Sequence, residues 1–172
     1  TQIFSLNNLN NRSKDITRSG SYRLTYSDTY APTSLSTGTP MIRVKASTVE
    51  IDLNGMEIIC NDTSGTGYVG IEIGLPPSLS GTQPTNVVIK NGSLKGFDCG
   101  ILIHSGVKNV MIENVQITDS SVGVACMGKS GGFDTESVVS VIFDNVRILG
   151  HGSDKRTALV NLKTLIETTY TY

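Results

Sequence analysis

A short internal repeat constrains the fold of this chain more than any other feature of its sequence. Three stretches share the pattern apolar-x-apolar-x-Asn-x-x-apolar: VVIKNGSL (87–94), VMIENVQI (110–117) and VIFDNVRI (141–148). A fourth stretch, VEIDLNGMEI (49–58), carries one extra residue on each side of its Asn-Gly. The apolar positions alternate with a period of two, which indicates β-strands rather than helices.

A second element, a short apolar strand, lies between these stretches. It reads GIEI (70–73), GILI (100–103) and GVAC (123–126), and we expect ALVNL (158–162) to be a fourth copy. A unit this small cannot bury its own apolar face, so it has to stack on its neighbours. Units stacked at the strand spacing of ~4.8 Å form a solenoid with three parallel sheets and about five coils.

The repeated asparagines predict a ladder of side chains along the solenoid. Asn91, Asn114 and Asn145 occupy one position in successive repeats, and we expect Asn54 to join them. Asparagine tolerates the left-handed backbone of a tight turn, and its amide can bond to the amides above and below it. Each such bond stabilises a fold by roughly 1 kcal/mol net.

The same alignment predicts which apolar side chains stack inside the coil. β-branched residues pack well in parallel sheets, so like-on-like stacks are the expected arrangement. The stacks are Val49, Val87, Val110 and Val141; Ile51, Ile89, Ile112 and Phe143; Ile58, Leu94, Ile117 and Ile148; and Ile73, Ile103 and Cys126.

The composition fits an all-β protein and argues against two classes of partner. Charged residues make up 17% of the chain, its net charge is −1, and it has no basic stripe and no long apolar run. We therefore expect neither nucleic acid nor a membrane as a partner. The 3 cysteines lack paired metal-ligand spacing, so we interpret them as small buried residues, with a disulfide or metal role as the alternative. No metal and no cofactor is expected.

The phrases ASTVEIDLNGMEI, TNVVIKNGSLKGFDCGILI and KNVMIENVQIT resemble the right-handed parallel β-helix superfamily of pectate lyases and polygalacturonases. The resemblance covers roughly residues 42 to 162 and implies an all-β fold, a right-handed parallel β-helix wound from a single chain. It implies less about activity, because this fold hosts lyases, hydrolases, epimerases, phage tailspikes and inert scaffolds.

In this superfamily the Asn turn lies between the second and third sheets, so the strands that open on glycine here are expected to form the first sheet, whose outer face and bordering loops usually hold the active site. Here the outward residues of that sheet are expected to be Glu72, Leu102 and Ala125, a face with one carboxylate and no basic partner. Pectate lyases, by resemblance, need clustered acidic residues that bind calcium and a basic residue that acts as the base. We expect no such cluster on this face. His104, directly after GILI, is expected to be a solvated turn residue.

A Gly-His-Gly triplet at 150–152 resembles one element of a polygalacturonase active site. Asp98, Asp119 and His151 lie in loops that lead into the first sheet in consecutive coils, so they are the candidate acid/base residues. The other elements are missing, because Asp98 is followed by a cysteine and no Arg-Ile-Lys coil follows the triplet. Glycoside hydrolysis needs two carboxyl groups beside the scissile bond. We therefore expect His151 to be a loop residue.

One outer face carries a stripe of three apolar residues, Val88, Met111 and Ile142, beside the alternating charges of Asp52, Lys90 and Glu113. Apolar side chains in line on an outer face mark either a covered surface or a contact with a partner. The cover would be the first twenty residues or the tail. The partner would be a second copy of the chain in a homo-oligomer, with a trimer as one arrangement.

These observations predict three regions: an N-terminal cap with a first incomplete coil (1–41), a parallel β-helix (42–162) and a C-terminal tail (163–172). The favoured function is a non-catalytic β-helical scaffold or binding module of an extracellular, cell-surface, fibre or virion-associated protein. It is expected to associate with itself and to contact glycans. The alternative is a polysaccharide hydrolase or lyase that uses Asp98, Asp119 and His151.

Overall fold

A computed structural model describes residues 2–7, 13–31, 40–61, 68–76, 79–126 and 139–149 of the chain. These residues form β-strands and turns, and no helix in them has the length and apolarity to cross a membrane. The strands are β1 (Ile3–Ser5), β2 (Lys14–Ile16), β3 (Gly20–Arg23), β4 (Asp28–Tyr30), β5 (Ile42–Val44), β6 (Val49–Asp52), β7 (Glu57–Cys60), β8 (Val69–Ile73), β9 (Thr85–Lys95), β10 (Cys99–Ile103), β11 (Lys108–Thr118), β12 (Val122–Cys126) and β13 (Val139–Leu149).

The strands form two sheets in which neighbouring strands are parallel. The larger sheet has the order β1-β3-β6-β9-β11-β13, and β4 pairs with β7, which in turn pairs with the second part of β9. The smaller sheet has the order β2-β5-β8-β10-β12. The chain returns to each sheet one strand further along, an arrangement that is compatible with a β-helix. The prediction of an all-β fold built from parallel sheets is confirmed.

The predicted apolar stacks are confirmed by the register of the strands. Val87 pairs with Val49 and Val110, and Val110 pairs with Val141, all with buried side chains. Leu94 lies between Ile58 and Ile117, and Ile103 lies between Ile73 and Cys126. The alternation of the sequence therefore places one side chain of each stack on the same inner face of successive strands.

The three longest strands each turn at an asparagine in their middle. Asn91, Asn114 and Asn145 have φ angles of 61°, 51° and 52°, in the left-handed region. Asn54, between β6 and β7, has a φ of 55°. A short polar side chain makes this conformation accessible to an L-residue, which explains why the repeat has asparagine at this position.

The smaller sheet contains a column of glycines at the positions where its strands open. Gly70, Gly100 and Gly123 follow one another in register. A Cβ atom on Gly100 would lie 2.8 Å from the carbonyl oxygen of Gly123 and 2.7 Å from the Cγ2 of Ile117. No larger residue fits without a shift of the neighbouring strand, so the packing itself selects glycine.

The first and last parts of the chain are described only in part. β1 and β2 are the outermost strands of the two sheets at the N-terminal side, and they pair in register with β3 and β5. The region boundaries at 41 and 162 stay predictions. His151, the expected strand at 158–162 and the tail at 163–172 lie outside the described residues.

Candidate functional site

The two aspartates predicted as acid/base candidates form contacts within the turns of the fold. The Oδ2 of Asp98 accepts a hydrogen bond from the backbone N–H of Tyr68 at 2.9 Å, and its carbonyl accepts one from Val122 at 2.8 Å. Asp119 follows β11 with a φ of 55°, and its Oδ2 lies 3.7 Å from the Nζ of Lys95. His151 lies outside the described residues, so the three-residue constellation stays a prediction.

A buried charged cluster lies on the smaller sheet, on the face opposite the apolar stacks. The Nε2 of His104 lies 2.6 Å from the Oε1 of Glu72, and the Nε of Arg43 donates to the Oε2 of the same carboxylate. Glu72 and His104 are each only 5% exposed. The predictions that Glu72 has no basic partner and that His104 is solvated are therefore wrong.

The Glu72 carboxylate is held in its ionised form by its two partners. Burial by itself raises the pKa of this carboxyl, but the hydrogen bonds from His104 and Arg43 outweigh that effect, so its pKa lies below its ordinary value. An ionised carboxylate only accepts hydrogen bonds, so the Nε2 of His104 carries the proton. The Nδ1 of His104 is buried and has no hydrogen-bond partner in the part of the chain that the structure describes.

Gly74 and Gln83 pack beside this cluster. A Cβ atom on Gly74 would lie 2.6 Å from the Cγ2 of Val107, 2.7 Å from the Oε1 of Gln83 and 3.2 Å from the Cβ of His104, so the packing after β8 selects glycine. The side chain of Gln83 closes the following loop, because its amide accepts from the N–H of Leu75 at 2.8 Å and donates to its carbonyl at 2.9 Å. The cluster thus links β5, β8 and the end of β10 through buried hydrogen bonds.

On the outer face of the larger sheet, a groove runs across β3, β6, β9, β11 and β13. Its volume is about 800 Å³, within the range of about 300–1,000 Å³ that is typical of ligand pockets. Gly20 and Ser21 of β3 border the groove, and each of β6, β9, β11 and β13 brings one rim residue and one floor residue, so the groove repeats with the strand spacing of ~4.8 Å.

The rim of the groove is a second ladder of left-handed residues, which the sequence pattern did not indicate. Thr48, Asn86, Asn109 and Ser140 have φ angles of 55°, 59°, 56° and 64°. The Nδ2 of Asn109 donates to the Oδ1 of Asn86 at 3.2 Å. Each of these residues directly precedes a valine of the first apolar stack, and this shared position was the available signal.

The floor of the groove contains the predicted apolar stripe. Met111 pairs with Val88 on one side and with Ile142 on the other, so the three side chains lie in line. Val88 and Met111 are half-buried, and Ile142 is 48% exposed. Towards β3 the row continues with Glu50, whose carboxylate lies 3.1 Å from the Nζ of Lys90.

Three of the four predicted ladder asparagines are joined by their amides. Asn145 donates to the Oδ1 of Asn114 at 2.8 Å, and Asn114 donates to the Oδ1 of Asn91 at 3.3 Å. Asn54 bonds differently, since its Nδ2 donates to the carbonyl of Leu24 at 3.1 Å. The Nδ2 of Asn91 donates to the Oδ1 of Asp52 at 3.5 Å instead of to Asn54, because the extra residue in this repeat displaces Asn54.

The described residues offer no metal site. No group of three or more histidine, cysteine, aspartate or glutamate side chains among them is placed to hold a metal ion. The thiols of Cys60, Cys99 and Cys126 are not joined in disulfides. Burial raises the pKa of Cys99 and of Cys126 to about 12, which keeps both thiols protonated at neutral pH.

In comparisons with known proteins, no protein-family model matches the chain, and no curated protein or solved structure matches it significantly. Fold and function therefore rest on the residues of the chain itself.

Proposed function

We propose that the chain is a right-handed parallel β-helix with three faces and about five coils that acts as a non-catalytic scaffold and binding module. The pairing of the strands supports this architecture. The first parts of β9, β11 and β13 continue the row of β3 and β6, their second parts continue the row of β4 and β7, and the smaller sheet supplies the third row.

The groove across β3 to β13 is the observation that carries the binding function. It is open, it repeats with the strands, and its floor holds the exposed side chain of Ile142. Exposed apolar side chains in a line are typical of interaction surfaces. The proposed setting is a cell surface, a fibre or a virion, where a rigid solenoid presents such a surface.

The environment of the acidic residues supports a role without catalysis. Glu72 and its partner His104 are buried, and Asp98 bonds to the backbone of Tyr68. A general acid or base has to reach its substrate directly or through one water molecule. The alternative function, a polysaccharide hydrolase or lyase that uses Asp98, Asp119 and His151, would need these side chains around one accessible site.

Self-association is the second proposed function, and exposed apolar residues on β13 favour it. Both residues lie on the last described strand of the larger sheet, where Ile142 is 48% exposed and Leu149 is 43% exposed. A second copy of the chain, including a trimeric arrangement, would remove these side chains from water.

The proposed function is tested by three measurements on the full chain. A glycan array and native mass spectrometry are expected to detect binding or self-association, and incubation with polysaccharides is expected to release no product. If product forms and its formation is lost in the Asp98→Ala, Asp119→Ala or His151→Ala variant, the scaffold proposal is wrong and the chain is a polysaccharide hydrolase or lyase. A monomeric protein that binds no glycan on the array and cleaves a polysaccharide would also contradict the scaffold proposal and favour the enzyme.

A further inference from the structure

We propose that the groove binds one linear, uncharged polysaccharide, whose chain runs across the strands with its sugar units following the strand repeat. This inference rests on the proposed binding function and specifies the ligand and its direction. Three properties of the groove carry it: its shape, the chemistry of its rim, and the charges beside its floor.

The shape fits a narrow, extended ligand. The groove crosses five strands, and four spacings of ~4.8 Å give a length of ~19 Å. Its apolar floor is one side chain wide, from Val88 through Met111 to Ile142. A specific protein interface buries about 800 Å² on each partner, far more than this strip can offer. A single polymer chain therefore fits the groove better than a folded domain does.

The rim offers neutral hydrogen-bonding groups at regular intervals. Thr48 and Ser140 provide hydroxyl groups, and Asn86 and Asn109 provide amides. The bond between the two amides uses one donor of Asn109 and the oxygen of Asn86. No contact in the described part of the chain engages the Nδ2 of Asn86 or the Oδ1 of Asn109. A donor and an acceptor are thus available together, which suits sugar hydroxyl groups because they both donate and accept.

The apolar floor and the mostly acidic row beside it disfavour an anionic chain. Val88, Met111 and Ile142 can pack against the C–H faces of sugar rings. The charge of Glu50 is neutralised by Lys90, which lies beside Glu113 in the adjacent row, and Asp144 follows Glu113 in that row; neither Glu113 nor Asp144 forms an ion pair within the described residues. A polysaccharide that carries carboxylates would be repelled by these side chains. The charge pattern therefore selects an uncharged polymer.

The experiment compares binding of linear neutral and linear acidic polysaccharides to the full chain on a glycan array, followed by calorimetry with a hexasaccharide of the best neutral polymer. Asn86→Gly and Asn109→Gly remove a rim amide and retain the positive φ angle. Asn114→Gly is the matched control, because it makes the same change at a left-handed position of the other ladder. On the floor, Ile142→Ser is compared with Leu79→Ser, which changes a residue of similar exposure (45%, against 48% for Ile142) outside the lining of the groove and outside β13.

We expect a neutral polymer to bind, and each rim variant to weaken its binding about fivefold, the loss of one hydrogen bond of about 1 kcal/mol. Ile142→Ser is expected to weaken binding, and the two control variants are expected to leave it unchanged. The inference is overturned if only acidic polymers bind, if no neutral polymer binds, or if Asn114→Gly weakens binding as much as the rim variants do. Self-association that Ile142→Ser abolishes, without glycan binding, overturns it too and leaves the proposed scaffold standing with a second copy as the occupant of the groove.

Discussion

The Nε2 of His104 lies 2.6 Å from the Oε1 of Glu72, and both side chains are buried. The two residues are 32 positions apart in the sequence, and Arg43 reaches the same carboxylate from 29 positions before it. The cluster joins three strands of the smaller sheet through one anion. An ionised group removed from water depends on such partners, because burying a charge without them is costly.

The first prediction concerns the loss of this charge. Glu72→Gln is expected to lower the free energy of unfolding by about 3 kcal/mol, because it leaves Arg43 without its carboxylate in a buried setting. Glu50→Gln makes the same change in the pair with Lys90, where the Glu50 side chain is 38% exposed, and should cost less than about 1 kcal/mol. Urea denaturation of both variants measures the difference. Equal losses of unfolding free energy in the two variants would show that the buried contacts of Glu72 stabilise the fold no more than the exposed pair of Glu50 does.

The second prediction concerns the stability of the fold at low pH. The pKa of Glu72 in the folded state lies below the ordinary value of 4.5, so the unfolded chain binds the proton first as the pH falls. The stability that this carboxylate contributes is therefore fully present above about pH 4.5 and is lost as the pH falls through the folded-state pKa. The free energy of unfolding of Glu72→Gln should approach that of the unmodified chain once the pH has fallen below the folded-state pKa. Parallel pH curves for the two proteins would contradict this expectation.

The third prediction concerns the asparagine ladder. Asn114 has a φ of 51° and bonds to an asparagine on each side. Asn114→Gly loses the amide bonds but tolerates the backbone, whereas Asn114→Ala also places a Cβ atom in the left-handed region. We expect losses of about 2 kcal/mol for glycine, from two hydrogen bonds of about 1 kcal/mol each, and about 3 kcal/mol for alanine, measured by denaturant unfolding. If alanine is tolerated better than glycine, backbone conformation is not what selects asparagine here.

The fourth prediction concerns the thiols. Because burial raises the pKa of Cys99 and Cys126 to about 12, few thiolates exist at neutral pH. The thiolate is the reactive form, so alkylation of the native protein by iodoacetamide should be slow at both positions and fast once urea unfolds the chain. Peptide mass spectrometry over a time course measures each site. Labelling of the native protein as fast as that of free cysteine would show that these thiols are accessible.

The sequence alone predicts the apolar stacks, because alternation and repeat spacing determine which side chains share a face. It does not predict the Glu72 cluster. Alternation places Glu72 on the outer face, and an outer face is exposed unless another part of the chain covers it. The partners Arg43 and His104 come from different turns of the chain, and their distances depend on the register of β5, β8 and β10.

The groove was predictable in part. The sequence indicated its floor, because Val88, Met111 and Ile142 are apolar at outward positions. Its rim gave no such signal, because the four rim residues are of three types, Thr48, Asn86, Asn109 and Ser140, and no single residue type occupies this position in every repeat. What they share is a backbone conformation, and hydroxyl and amide side chains both occur at such turns.

The parallel register also has a consequence for how the length of such a protein can change. Asn91 and Asn114 are 23 residues apart, and Asn114 and Asn145 are 31 apart, yet their amides meet directly. Excision of the 23 residues from Val87 to Asn109 would bring Val110 against Val49 with every side chain still on its original face. Removal of a single residue from β11 would instead exchange inner and outer faces along the rest of that strand. Whole turns are therefore the natural unit of gain and loss in this chain, and the groove would lengthen or shorten with them one strand at a time.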